Sequence, residues 1–115
     1  MTNLKSIKVS YHFQNDRQGR KERIDRVVNG NWGSVVKEEF RKDAWRMLTD
    51  TGLIFILTPN KELILTYYFA TGKTVNEMYH GKAPKAITNR INKNARAYAE
   101  IYNEGISTER VYHKI

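Results

Sequence analysis

The chain has no cysteine, only two prolines and no long apolar run. Without thiols there is no thiol catalysis, no zinc finger built on Cys ligands and no disulfide scaffold, and the composition suits a reducing compartment. The longest apolar stretch, Leu53-Ile54-Phe55-Ile56-Leu57, is far shorter than the roughly 20 residues of a membrane span. Met1-Thr2-Asn3-Leu4-Lys5 leads into a polar alternating segment with no apolar h-region, so no secretory signal or membrane partner is expected and the cytoplasm is the default location. Ligand-like spacing is missing as well: His12, His80 and His113 stand apart with no acidic cluster beside them, and no metal is expected. Gly72-Lys73-Thr74 echoes the end of a phosphate-binding loop, but Tyr67 occupies the earlier position that must be glycine. That rejects nucleotide hydrolysis, and no cofactor is implied.

What the chain does have is charge, and the charge is segregated. The 115 residues carry a formal +8. Residues 17 to 26 hold Arg17, Arg20, Lys21, Arg23 and Arg26 against Glu22 and Asp25. Residues 73 to 96 hold Lys73, Lys82, Lys85, Arg90, Lys93 and Arg96 against Glu77 alone. Everything else balances to zero, so the entire excess lies in two segments. A charge kept only for solubility is spread out; a gathered one favours a polyanionic partner.

The length fits one domain able to bury roughly two-thirds of its unfolded surface, and no repeat, low-complexity tract or linker divides it. Residues 6 to 13 alternate, with Ile7, Val9, Tyr11 and Phe13 on one face, which predicts a half-buried strand. Gln14 to Arg20 reads as a loop, and a strand over about 21 to 28 returns beside the first, closing a hairpin with a basic tip. Ser34 is the expected N-cap of a medium helix in which Val36, Phe40, Ala44, Met47 and Leu48 recur at helical spacing, ended by Thr49-Asp50-Thr51-Gly52. Strands over about 53 to 58 and 62 to 69, joined by Pro59-Asn60-Lys61, form the clearest hairpin. Thr74-Val75-Asn76-Glu77 has the form of a capping box starting a short helix that His80-Gly81 ends. Pro84 opens a long helix to about Asn103, with Ile87, Ile91, Ala95, Tyr98 and Tyr102 as its apolar stripe. The expected fold is α+β: an antiparallel sheet of about four strands with one medium and one long helix packed on it, in the order ββ-α-ββ-short α-α. Residues 53 to 57 are apolar on both faces, as in a central strand covered on both sides or one whose second face meets another copy in a homodimer.

Four features compete as sites. On the long helix, Lys85, Arg90, Lys93 and Arg96 lie away from the apolar stripe with no acidic residue among them before Glu100. That suits phosphate contact, against the plainer reading of a solvated face. The cluster Arg17, Arg20, Lys21 and Arg23 suits a hairpin tip straddling a phosphate backbone, against simple protection of a strand edge. Lys73 and Lys82 extend such a patch. Tyr68 and Tyr79 are candidates for base stacking, although aromatics in strands are more often packing. His80 and His113 are weak catalytic candidates, since a base, an acid and a cation suffice to cleave RNA. Size, basicity and helix-plus-sheet order are loosely similar to the RelE-type and barnase-type ribonucleases, but no motif of those families is present and no residue is carried over.

The leading expectation is a non-enzymatic nucleic-acid-binding domain that contacts phosphates through the basic helix face and the basic hairpin loop. The alternatives are a small ribonuclease of RelE or barnase type, and a regulator or inhibitor of phage or mobile-element type that uses its basic face on an acidic protein.

Overall fold

A computed structural model describes residues 4, 7–10 and 33–102, with residues 96–102 described by their backbone alone. The described chain is α+β. In order come β1 (Lys8–Val9), β2 (Val35–Arg41), β3 (Ala44–Thr49), β4 (Leu53–Leu57), β5 (Leu63–Phe69), α1 (Gly72–Met78) and α2 (Lys85–Tyr102). The strands form one mixed sheet in the order β1-β5-β4-β3-β2. Strands β2 to β5 are an antiparallel meander, and β1 joins its far edge parallel to β5, Lys8 opposite Leu63 and Val9 opposite Ile64.

This corrects the expected fold in two places. The sheet has five strands and is mixed, where about four antiparallel strands were expected. The medium helix over 34 to 48 does not exist: those residues are the β2–β3 hairpin. The return strand over 21 to 28 and its basic tip lie outside the described residues. The long helix and the 53–69 hairpin stand where the spacing puts them, and the short helix is present with an earlier start.

The hairpin escaped notice for a physical reason. A bulge between Val35 and Lys37 breaks the register of β2, so Val36 faces the helices and Lys37, opposite Leu48, faces the same way. Two successive residues on one side erase the period of two that marks a strand. The turn is equally disguised. Lys42 and Asp43 adopt φ of 53° and 60°, the two left-handed positions of a tight hairpin turn, without the glycine that usually signals one. Ser34 caps no helix; its backbone N–H instead donates to Asp50 Oδ1 at 3.1 Å.

β4 is the middle strand and is buried on both faces within one chain. On one side Phe55, Leu57, Met47, Ile64 and Tyr67 pack with Leu4, Val35 and Leu53. On the other, Leu48 and Ile54 meet Val75 and Met78 of α1 and Ile91 of α2. Among the described residues, the helices cover one face of the sheet. Among the described residues no helix is long and apolar enough to cross a membrane.

The short helix starts one turn earlier than the capping box implies. Thr71, not Thr74, is the N-cap, and its Oγ1 accepts the Thr74 N–H at 3.2 Å. At the other end the Gly81 N–H returns to the Asn76 carbonyl and the His80 N–H to that of Glu77, both at 3.0 Å. His80 takes a left-handed φ of 56° there, as C-terminal caps commonly do.

Candidate functional site

Both helices present polar side chains to a shallow cleft of about 400 Å³ between them. Lys82 and Lys85 stand on it, with Asn76, Thr88, Asn89 and Asn92 around them. Helical spacing explains the gathering: positions 85, 88, 89 and 92 recur on one side of α2, opposite the stripe that Ile87 and Ile91 bury. Asn76 Oδ1 accepts the Ala83 N–H at 2.9 Å, which fixes the linker carrying Lys82 against the end of α1. Among the described residues, no carboxylate lines the cleft. Ammonium and amide groups are all donors to an anionic oxygen, so the chemistry of the lining is that of a phosphate contact.

The other cations predicted from the sequence divide. Lys73 on α1 and Lys93, two turns along α2 from Lys85, are exposed, and none of the carboxylates among the described residues pairs with Lys73, Lys82, Lys85 or Lys93. Arg90 is different. Its guanidinium lies 2.9 Å from Asp50 Oδ2, so its charge is already answered. Arg96 is on α2, but its side chain lies outside the described set, and Arg17, Arg20, Lys21 and Arg23 lie outside it altogether. The structure thus brings Lys82 and Lys85 together and does not show where the second basic segment falls.

Asp50 was read only as part of a helix stop. It sits instead in the three-residue connection between β3 and β4, where Gly52 takes the positive φ of 83° that such a loop needs. Only 7% exposed, it accepts the Ser34 N–H through one oxygen and pairs with Arg90 through the other. Its carbonyl accepts Asn94 Nδ2 at 3.2 Å. The loop is where α2 is tied to the sheet.

A second cluster lies past the end of α1. Glu39 of β2 faces Arg46 across the hairpin, and the Arg46 guanidinium bonds Glu39 Oε1 through two nitrogens, Nε at 3.1 Å. Both side chains are largely buried. Partial burial disfavours the Arg46 cation, yet its bonds to Glu39 and Tyr68 outweigh that and hold it above the usual arginine value. Tyr68, a candidate for stacking, is 38% exposed. His80 Nε2 lies 4.0 Å from the second Glu39 oxygen, Oε2. Sequence reading singled out His80 and missed Glu39 and Arg46, because only the hidden hairpin places them opposite each other.

Tyr79, the other stacking candidate, packs against the sheet. Its hydroxyl donates to the Val36 carbonyl at 3.3 Å, Lys37 Nζ lies 5.2 Å from its ring centre, and burial pushes its phenol up. His12 and His113 lie outside the described residues. Among those described, no three His, Asp or Glu side chains are grouped to hold a metal ion. No family model matches the chain, and no curated protein or solved structure does either.

Proposed function

We propose that the protein binds nucleic acid through the α1–α2 cleft, with Lys82 and Lys85 as its central phosphate contacts and Lys73 and Lys93 flanking them. One observation supports this above the others: the cleft is lined by cations and amide donors with no carboxylate among them. An ordinary solvated helix face interleaves acids with bases at i, i+4, and α2 does not do so over its described side chains. Arg90 contributes to the local potential but is committed to Asp50. The exposed stems of Lys85 and Lys93 project from a rigid helix anchored at Ile91, so their charges are presented with little cost in ordering the backbone.

Affinity drawn from phosphate neutralisation falls as a power of the salt concentration, with a slope of about −0.7 per phosphate on single strands and about −0.9 on duplex DNA. Fluorescence anisotropy of labelled single-stranded and duplex oligonucleotides, titrated across a salt series, reads that slope. A steep negative slope is expected. Binding indifferent to salt, or no binding at low salt, sinks the reading.

A further inference from the structure

We infer that the pocket past the end of α1 is an acid–base site for phosphodiester transfer within RNA, with His80 as the catalytic base and Glu39 as its positioning residue. The inference rests on the nucleic-acid reading above, because the cleft must deliver the phosphate. The pocket measures about 520 Å³ and is walled by Glu39, Arg41, Arg46, Glu77 and His80. Three separate elements supply these side chains: the β2–β3 hairpin, α1 and the turn that follows α1.

The geometry orders them into a chain of support. Arg46 clamps Oε1 of Glu39, with side chains only 13% and 15% exposed. That leaves Oε2 fixed beside the imidazole of His80, whose side chain is 78% exposed. At 4.0 Å this is proximity of charge rather than a hydrogen bond; the clamped carboxylate favours the tautomer with its proton on Nε2, which leaves Nδ1 to act as the base. Glu39 itself, doubly bonded to a guanidinium, is a poor base.

Position links the two sites. His80 lines the pocket and Lys82, two residues on, lines the cleft, so one short turn forms part of both walls. A strand held at Lys82 and Lys85 brings a neighbouring phosphate to His80.

RNA suits a site with a single base, since it carries its nucleophile next to the phosphorus. His80 takes the proton from a 2′-hydroxyl as the 2′-oxygen attacks. The O2′–P bond forms and the P–O5′ bond breaks. The departing 5′-oxygen takes a proton from water, and the proton held by His80 neutralises the hydroxide so formed. The products are a 2′,3′-cyclic phosphate and a free 5′-hydroxyl. Arg41 on the pocket wall offsets the added negative charge on the phosphorane.

The test uses the full chain with a labelled single-stranded RNA and the matching DNA, reading cleavage on a denaturing gel and binding by anisotropy. RNA cleavage to cyclic-phosphate ends is expected, with the DNA left whole. His80→Gly accepts the positive φ without strain and should cut about 10²- to 10⁴-fold more slowly, with RNA binding retained and with added imidazole restoring part of the rate. Glu39→Gln still offers Arg46 an acceptor and should slow the reaction without abolishing it. Wild-type protein that binds RNA and leaves it intact overturns this inference while the binding reading stands, and so does a His80→Gly variant that cuts at the wild-type rate. If salt-sensitive binding is missing too, both readings fall.

Discussion

Asp50→Ala is expected to lower the stability of the protein by about 3 kcal/mol, the sum of a lost hydrogen bond to a charged acceptor, about 2 kcal/mol, and a partly exposed ion pair, about 1 kcal/mol. For a domain of this size that corresponds to a fall in Tm of roughly 10–20 °C. The change strands the Ser34 N–H, which has Asp50 Oδ1 as its acceptor, and it leaves the Arg90 guanidinium without its carboxylate. The site has no slack to reorganise: a Cβ placed at neighbouring Gly33 would sit 2.7 Å from Asp50 Oδ1 and 2.8 Å from Thr51 Cγ2. Arg90→Ala should cost much less, about 1 kcal/mol, because the Arg90 side chain is 52% exposed and Asp50 keeps its backbone partner. Thermal or urea unfolding of both variants checks the order. Equal losses, or an Asp50→Ala protein as stable as wild type, would show that the loop does not anchor α2.

The second large effect concerns binding. Replacing Lys82, Lys85 and Lys93 together by Ala should reduce the magnitude of the log–log salt slope by about two to three and weaken nucleic-acid binding by about two orders of magnitude at ~0.1 M salt. All three side chains are exposed, so stability should move by no more than about 0.5 kcal/mol. Arg90→Ala is the internal comparison: with its charge committed to Asp50, its removal should leave the slope nearly unchanged. A triple variant with the wild-type slope would mean that other cations carry the binding.

The sequence was most legible where local rules act alone. Pro59-Asn60-Lys61 between two apolar runs marked the β4–β5 hairpin, and Pro84 followed by an apolar stripe marked α2. It was least legible at residues 34 to 49. There a bulge and a glycine-free left-handed turn concealed two strands, and the spacing of Val36, Phe40, Ala44 and Met47 imitated a helix. Tertiary pairing of β3 with β4 decided the outcome, as it often does for segments whose intrinsic preference is weak. The site followed the same division. Lys82 and Lys85 share a surface because α2 was read correctly, whereas Glu39, Arg46 and Asp50 acquire their roles only through a hairpin and a loop that no local pattern announced. Arg90 shows the limit of a helical wheel: it assigns a side, but not the carboxylate waiting there.

One element is joined unlike the rest. Each strand from β2 to β5 pairs with its neighbour in the chain, whereas β1 pairs with β5 across a separation of 55 residues. Closing so long a segment costs entropy before any contact rewards it, so the meander and its helices can assemble first and the N-terminal strand docks onto a finished edge. Among the described residues that ladder holds two, so undocking them requires little of the structure to open. Amide hydrogen exchange should accordingly be faster at Ser10, which donates to Ile64, than at Phe55 in the middle of the sheet, and equal protection would mean that this edge opens only when everything does.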